Sequence, residues 1–328
     1  MLYKTIGKTG IKVSRLCLGT MSFGKDADLE MSKAMYKRCR EEGINFFDTA
    51  NTYSNGLSET FLGECMANDL RDDIILTTKV FNPMGSDVNA GGLSRRHIML
   101  EVENSLRRLK TDRIEFYFVH KFDEDTPMEE SLRAMDDLQR QGKILYPAVS
   151  NWAAWQIAKA LGISAKKELA RFELIQPMYN LVKRQAEVEI FPLAESEQLG
   201  VIPYSPLGGG LLTGKYGSNK LPEEGRLVKE KLYMDRYADD MNYVVADRFV
   251  SYAEKHQIHP ATLAVAWTMS HPAVTAPIIG ARNMDQLEPS LAALHVEMTQ
   301  QWREEISSLS PTPQPATDRS EILSSAGK

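Results

Sequence analysis

Four side chains that can ionise or transfer a proton stand at or just after the ends of short apolar runs in this 328-residue sequence. Three runs end at Asp48, Lys79 and His120, and Tyr53 follows Asp48 closely enough to turn back over the same end. If these ends meet, Asp48 and a buried Lys79 would form a charge pair that neither residue could sustain alone. A nearby ammonium lowers the pKa of a tyrosine from about 10, which would make Tyr53 a general acid and leave His120 to orient a carbonyl.

These four groups are compatible with more than one class of reaction. No side chain supplies a hydride, so carbonyl reduction would need a redox cofactor. A hydrolase or aldolase of the same architecture would instead use Lys79 as a Schiff-base nucleophile. Gly208-Gly209-Gly210 stands in the wrong context for a Rossmann fingerprint, and there is no P-loop or zinc-protease motif. A nucleotide would therefore bind by other means.

Eight short apolar runs alternate along the chain with stretches of helical periodicity. Continuous apolar runs are typical of strands buried on both faces, and strict alternation with helices indicates a parallel sheet. Eight units favour a closed (β/α)8 TIM barrel, an α/β fold whose active site lies at the carboxyl ends of the strands. The strands are predicted over 16–18, 44–48, 74–79, 114–120, 148–151, 174–176, 201–204 and 275–279, and the clearest helices over about 28–42, 58–68, 94–109, 127–141, 240–255 and 260–270.

Three segments lie outside the alternating units. Two further β-prone runs, 2–6 and 11–14, predict a hairpin that plugs the bottom of the barrel. Residues 205–239 are rich in Gly, Lys and Glu, which predicts a loop over the top face. The chain is thus expected to form one barrel domain over 1–310, followed by a mobile C-terminal tail over 311–328, where prolines and small polar residues are frequent.

Composition and charge argue against several classes of function. The net charge of −5 comes from interspersed acidic and basic residues, so neither a nucleic-acid partner nor a membrane anchor is expected. The first residues lack a targeting pattern, and no stretch approaches the ~18 apolar residues of a membrane span. Cys17, Cys39 and Cys65 have the spacing of neither a disulfide framework nor a zinc site. We therefore expect free thiols, no bound metal and a cytoplasmic location.

Motifs at the predicted strand ends carry a resemblance to a known family. They are Gly19-Thr20-Met21-Ser22-Phe23-Gly24, Phe47-Asp48-Thr49-Ala50-Asn51-Thr52-Tyr53, Thr78-Lys79, Phe116-Tyr117-Phe118-Val119-His120, Val149-Ser150-Asn151-Trp152, Tyr204-Ser205-Pro206-Leu207-Gly208-Gly209-Gly210-Leu211-Leu212-Thr213-Gly214-Lys215-Tyr216 and Ile279-Gly280-Ala281-Arg282. Together they resemble the aldo-keto reductases over about residues 3–310. The details are most similar to the branch that contains bacterial members and channel β-subunits.

The resemblance implies a catalytic tetrad of Asp48, Tyr53, Lys79 and His120 that reduces an aldehyde or ketone reversibly to an alcohol. Tyr53 would donate the proton, Lys79 paired with Asp48 would lower its pKa, and His120 would position the carbonyl. Hydride would come directly from NADPH, with no metal. An alternative on the same fold is an NADP(H)-binding regulatory subunit with little turnover.

The resemblance also implies a binding site for NADPH. Ser150, Asn151 and Gln176 would hold the nicotinamide side, and Tyr204 would stack on the nicotinamide ring. Arg282 would face the 2′-phosphate, which an arginine fork suits, and this favours NADPH over NADH. The full set implied for the cofactor is Gly19, Thr20, Met21, Asp48, Ser150, Asn151, Gln176, Tyr204, Ser205, Pro206, Leu207, Gly209, Leu211, Lys215, Arg226, Ile279, Gly280, Arg282 and Gln286.

This sequence departs from the family pattern at two places. Pro289 and Ser290 replace the usual Glu and Asn, which puts the hydrogen bonds to adenine in doubt. Pro147-Ala148 replaces a more usual Ile-Gly, and we expect this change to affect only the local packing.

Apolar residues just beyond the strand ends predict a pocket for a small-molecule carbonyl substrate on a bulky or cyclic skeleton. The sequence does not name that substrate, and it is compatible with a homo-oligomer without requiring one. The predicted pocket residues are Met21, Phe23, Tyr53, Phe81, His120, Phe122 and Trp152.

Overall fold

The structure, a computed structural model, describes residues 2–321 and opens with an antiparallel hairpin of β1 (Tyr3–Thr5) and β2 (Lys12–Ser14). Ile6 and Val13 of this hairpin pack with the side chains that fill the interior of the barrel. Gly200 makes room for them, because a Cβ there would lie 2.5 Å from Cγ2 of Ile6. The hairpin therefore plugs the bottom of the barrel, as the sequence predicts.

Eight parallel strands form the barrel. They pair in chain order, and the last strand returns to pair with the first. At the remaining seam, the backbone amides of Thr275 and Ile278 donate to the carbonyls of Val201 and Pro203 at 2.8 and 2.9 Å, so the ring closes. The predicted (β/α)8 fold is confirmed. Its strands are β3 (Cys17–Gly19), β4 (Phe46–Asp48), β5 (Ile75–Val80), β6 (Ile114–Val119), β7 (Ile144–Ser150), β8 (Leu174–Gln176), β9 (Gly200–Val201) and β10 (Ile278–Ile279).

Helices pack around the barrel, and the local sequence explains where several of them start. The side chain of Asp28 accepts a hydrogen bond from the Met31 amide at 2.8 Å, and Ser94 caps a second helix in the same way through the His97 amide. The helices are α1 (Leu29–Glu41), α2 (Leu57–Met66), α3 (Arg95–Leu109), α4 (Met128–Arg140), α5 (Ala154–Lys167), α6 (Ile190–Glu197), α7 (Arg226–Lys229), α8 (Lys231–Arg236), α9 (Asp240–Lys255), α10 (Pro260–Met269), α11 (Met284–Leu291) and α12 (Gln300–Ser307).

The segment 205–239 is more ordered than the loop that the sequence predicts. It contains a 3-10 turn over Gly208–Thr213 and the two short helices α7 and α8. Tyr233 of α8 is buried, and its ring packs where a Cβ on Gly209 would lie only 2.9 Å from Cδ1. Long-range packing, rather than local propensity, thus folds this segment over the top face.

Two other sequence predictions concern the C-terminal tail and membrane-spanning helices. Residues 311–320 contain neither helix nor strand, and residues 322–328 of the predicted tail lie outside the described residues. Within residues 2–321, no helix has both the length and the apolar character needed to cross a membrane.

Candidate active site

Asp48 and Lys79 meet inside the barrel because they occupy neighbouring strand ends, on β4 and β5. The Lys79 Nζ lies 2.8 and 2.7 Å from the two carboxylate oxygens and donates a further bond to the Thr49 carbonyl at 2.6 Å. Thr77 Oγ1 and Gln176 Nε2 donate to Asp48 Oδ1 at 2.6 and 2.8 Å. Lys79 has no exposed surface and Asp48 only 3%. The buried charge pair expected from the sequence is confirmed.

The charge of Lys79 is maintained by this pairing. Burial is the largest single influence and lowers the pKa of Lys79, but the charge of Asp48 and the further interactions with Asp48 and Tyr53 together raise it by more, so the net shift is upward. Lys79 therefore remains an ammonium at neutral pH. A fixed positive charge then lies 5.0 Å from the centroid of the Tyr53 ring.

Tyr53 begins a short turn whose backbone is unusual. Ser54 and Asn55 have φ angles of 49° and 54°, and Gly56 follows at 91°, so three successive residues are left-handed. Such conformations are unfavourable for residues with a side chain and persist only where the surroundings enforce them. One constraint is the Ser54 hydroxyl, which donates to the Phe23 carbonyl at 2.8 Å. The turn fixes the phenol over the barrel mouth.

The pKa of Tyr53 is raised rather than lowered. Burial raises it, Lys79 acts in the opposite direction as expected, and Asp48 raises it again. The sequence-based expectation of a lowered pKa was wrong in its net sign because it did not include the cost of desolvating the phenol at the barrel mouth. Tyr53 is thus protonated at neutral pH, which is the state that a proton donor requires.

His120 lies across the mouth from Tyr53, with ring centroids 6.0 Å apart in an edge-to-face arrangement. Burial, with the positive charges of Lys79 and Lys121, lowers the pKa of His120 to about 3. Its Nδ1 is buried without a hydrogen-bond partner among residues 2–321. A neutral imidazole that lines the cleft can donate one hydrogen bond to a carbonyl oxygen.

A cleft of about 690 Å³ runs across the top of the barrel from the tetrad to the amino-terminal end of α11. This volume is typical of cofactor and small-molecule sites. The predicted residues that line it are Gly19, Met21, Asp48, Tyr53, His120, Asn151, Gln176, Tyr204, Ser205, Pro206, Leu207, Gly209, Lys215, Arg226, Ile279, Gly280, Arg282 and Gln286.

The tetrad end of the cleft is held by polar contacts around Tyr204. The Tyr204 hydroxyl donates to Asn151 Oδ1 at 2.8 Å, and Asn151 Nδ2 donates to the His120 carbonyl and to Ser150 Oγ, each at 3.0 Å. These bonds fix the aromatic face of Tyr204 beside the tetrad. A planar heterocycle such as nicotinamide would fit against it.

The far end of the cleft offers positive charge. Within residues 2–321, Lys215 and Arg226 form no ion pair, and Arg282 Nε lies 3.5 Å from Asp26 Oδ2. Gln286 Oε1 accepts from the backbone amide of Arg282 at 3.2 Å. Cations that line a cleft without tight carboxylate partners suit a ligand that carries phosphates. The donor set therefore fits a dinucleotide.

Several predicted site residues do not line the cleft. Thr20 and Ser150 are buried beside it, where Thr20 Oγ1 donates to the Asp48 carbonyl and Ser150 Oγ to the Gln176 carbonyl. Leu211 and Phe23 are fully buried core residues, so the interpretation of Phe23 as a pocket wall and of Leu211 as a cofactor contact was wrong. They follow cleft residues in sequence, but the turns direct their side chains inward.

The other predicted pocket aromatics form a group of their own beside the cleft. Phe122 packs edge-to-face on Trp152 at 5.0 Å, and Trp152 packs in the same way on Phe172 at 5.5 Å. Phe81 is partly buried against the same core. None of Phe81, Phe122 and Trp152 is among the residues that line the cleft, so their role in substrate binding stays a prediction.

Sequence analysis missed the contribution of α8 to the cleft. The guanidinium groups of Arg226 and Arg236 lie on the ring of Tyr233, each 5.3 Å from its centroid, and Arg236 also lies 6.0 Å from that of Tyr204. All four residues line the cleft. The only signal in the sequence was a Tyr and an Arg three residues apart in a polar segment.

The structure shows the surroundings of Pro289 and Ser290, which replace the Glu and Asn usual in the family. Pro289 lines the cleft within α11 and has no amide hydrogen to donate, while Ser290 is buried and its hydroxyl has no partner among the described residues. Pro289 has no polar side-chain atom to replace those of a Glu, and the buried Ser290 does not line the cleft.

A (β/α)8 barrel with a buried Asp–Lys pair, a facing Tyr and His, and a cleft lined by cations is an arrangement that suits an oxidoreductase. The chain belongs to the aldo/keto reductase family, whose model matches residues 15–311. Membership supports an oxidoreductase activity and use of a nicotinamide nucleotide.

Relatives named as oxidoreductases, as a reductase and as channel subunits align with almost the whole length of the chain. The uncharacterized oxidoreductase YrpG of Bacillus subtilis is 36% identical, over 95% of this chain and 97% of its own length. A probable voltage-gated potassium channel subunit beta of Oryza sativa is also 36% identical, over 90% and 92%. Versiconal hemiacetal acetate reductase of Aspergillus parasiticus is 30% identical, over 91% and 94%.

Proposed function

We propose that the protein is an NADPH-dependent carbonyl reductase that converts an aldehyde or ketone to an alcohol, reversibly. The observation that carries the proposal is the buried Lys79–Asp48 pair facing a protonated Tyr53 and a neutral His120 at one end of the cleft. Bound NADPH would supply the hydride. The chain's own residues have to orient the carbonyl and supply a proton.

Each tetrad residue then has a distinct task. His120 donates a hydrogen bond to the carbonyl oxygen and so orients it toward Tyr53. As negative charge develops on that oxygen, the Tyr53 hydroxyl gives up its proton, and the ammonium of Lys79 stabilises the phenolate that forms. Asp48 keeps Lys79 charged, and Gln176 and Thr77 keep Asp48 in place.

The preference for NADPH over NADH rests on Arg282. Its guanidinium lines the cleft at the end opposite the tetrad, and among residues 2–321 its one ion-pair contact is to Asp26, at 3.5 Å. A 2′-phosphate would outcompete that contact through shorter, charge-assisted hydrogen bonds. NADH offers a neutral hydroxyl at this position.

The experiment is a titration of the purified protein with NADPH and NADH by tryptophan fluorescence, followed by turnover of carbonyl compounds at 340 nm. We expect tight binding of NADPH, weaker binding of NADH, and turnover that disappears in Tyr53→Phe while NADPH still binds. Turnover that survives in Tyr53→Phe would refute the assignment of the proton donor. Failure to bind either nucleotide would refute the proposal as a whole.

A second candidate is an NADP(H)-binding regulatory subunit, favoured by the relative named as a potassium channel subunit beta. Tight NADPH binding without turnover across a broad carbonyl panel is the result expected for it. We further propose a cytoplasmic protein whose partner is the carbonyl substrate, without a nucleic-acid or membrane partner; the sequence is compatible with a homo-oligomer without requiring one.

A further inference from the structure

A second ionic cluster lies behind the tetrad, between α2, α3 and the barrel. It consists of Glu59, Glu101 and Arg108, which we call the rear network. Arg108 Nε lies 2.5 Å from Glu59 Oε2, and Arg108 Nη2 lies 3.5 Å from Glu101 Oε2. Both carboxylates are buried, and none of the three side chains lines the cleft.

The rear network holds the end of β5 from outside the barrel. Thr78 Oγ1 donates to Glu59 Oε1 at 2.5 Å. Because side chains alternate along a strand, Thr78 points toward the helices while Lys79 points into the barrel. The strand end is therefore held on one face by Asp48 and on the other by Glu59.

The same network holds the segment that carries Tyr53. Asn51 Nδ2 donates to Glu101 Oε2 at 2.8 Å, and the Asn51 amide donates to the Lys79 carbonyl at 3.3 Å. The side chain of Arg108 covers Gly56, where a Cβ would lie 2.9 Å from Cδ of the arginine. The left-handed turn after Tyr53 is thus packed against the network at its last residue.

We propose that Glu59, Arg108 and Glu101 are positioning residues that set the distance between Tyr53 and Lys79. A buried ion network is a weak source of stability, since apolar replacements of similar volume are often neutral or stabilising. Here Glu59 and Glu101 each bond to a segment that carries a tetrad residue, and Arg108 joins the two. The effect on turnover rests on the proposed function, but the effect on the geometry of Tyr53 does not.

The bottom of the barrel provides a matched control. There Arg71 Nη2 lies 2.8 Å from Glu115 Oε2, and Arg71 Nε donates to Thr111 Oγ1 at 2.7 Å. The side chains of Arg71 and Arg108 are 21% and 23% exposed, and those of Glu115 and Glu59 are 3% and 0% exposed. Arg71 also donates to the carbonyls of Ile74 and Arg113, each at 2.8 Å, so Arg71→Met removes at least as many interactions as Arg108→Met, at the opposite end of the barrel.

The kinetic test compares Arg108→Met and Thr78→Val with Arg71→Met and Thr111→Val. Small displacements of reacting groups lower rates strongly, so we expect kcat to fall about 10- to 100-fold in Arg108→Met, with KM and the Kd for NADPH changed about twofold at most. Thr78→Val should show a smaller fall in kcat. The two bottom variants should retain kcat even where their unfolding midpoints drop. Equal losses of kcat in both pairs would overturn the proposal.

A second measurement does not depend on turnover. In protein labelled with [¹³Cζ]tyrosine, Tyr53→Phe identifies the Tyr53 resonance, whose shift reports the surroundings of the phenol. We expect Arg108→Met and Thr78→Val to move this resonance and Arg71→Met and Thr111→Val to leave it in place. An unmoved resonance would overturn the proposal, whether or not the wild-type protein reduces a carbonyl. If Arg108→Met does not fold, Thr78→Val decides the comparison.

Discussion

Replacing Asp48 by Asn isolates the contribution of the charge pair to stability. The asparagine keeps an oxygen for Thr77 and Gln176, but it leaves Lys79 as a charge with no exposed surface and no counter-ion. Removing one partner of a buried pair destabilises a protein by about 3–5 kcal/mol. With a urea dependence of about 3 kcal/mol per molar, the unfolding midpoint should fall by about 1–1.7 M.

The free energy of unfolding that Asp48→Asn loses should depend on pH, and the pKa of Lys79 determines the direction. Without Asp48, burial is the dominant influence on Lys79, and we expect it to hold the pKa of Lys79 in the folded protein below the unfolded value. The unfolded state then binds the extra proton, so the stability of Asp48→Asn rises with pH through the neutral range. The difference from the wild type should therefore narrow between pH 7 and pH 9.

A double variant supplies the control. Asp48→Asn with Lys79→Met has no buried charge, so it should recover much of the stability that the single Asp48→Asn variant loses. Urea unfolding followed by circular dichroism measures all of these midpoints. Strictly additive losses in the double variant, or a shift in Asp48→Asn below about 0.3 M, would refute the view that Lys79 depends on Asp48 for its charge.

Three further predictions concern the cleft. Arg282→Leu should raise the Kd for NADPH about 10- to 100-fold with little change for NADH, since a charge-assisted hydrogen bond contributes about 1.5–3 kcal/mol; equal effects on both nucleotides in a fluorescence titration would contradict the placement of the 2′-phosphate. The pKa of His120 in the folded protein is about 3, so the unfolded state gains its proton first as the pH falls. The stability of the wild type should therefore decrease below about pH 6.5. This decrease should be smaller in His120→Asn, and urea midpoints between pH 7.5 and 4.5 measure it. Pro289→Glu should tighten NADPH binding about two- to tenfold by restoring one hydrogen bond, and calorimetry showing no gain would place adenine elsewhere.

The parts of this molecule that follow from short-range pattern were predicted from the sequence. The barrel strands are short apolar runs that end in polar residues, and parallel strands direct those ends to one face, so Asp48, Lys79 and His120 could be placed together in advance. Ser94 likewise marked the start of a helix through local backbone chemistry, because its side chain accepts a hydrogen bond from the His97 amide.

The features that depend on long-range packing were not predicted from the sequence. The ordering of 205–239 depends on Tyr233 packing over Gly209, a contact between residues with no shared periodicity. Phe23 and Leu211 were misplaced because motif position does not determine side-chain direction in a turn. The net pKa shift of Tyr53 depends on how completely the fold buries the phenol, which a sequence does not state.

The pairing of β10 with β3 joins the first and last strands of the barrel directly beneath the cleft. Gly19 and Gly280 lie on either side of this join, and a Cβ on Gly280 would be 3.5 Å from the Gly19 carbonyl oxygen. Contacts between such distant parts of a chain are slow to form, because the entropic cost of closing a long loop opposes them. A nucleotide that spans the join binds only the closed ring and would keep the first and last strands together. The bound cofactor would then also stabilise the closed barrel, and its loss would favour local unfolding at the pairing of β10 with β3.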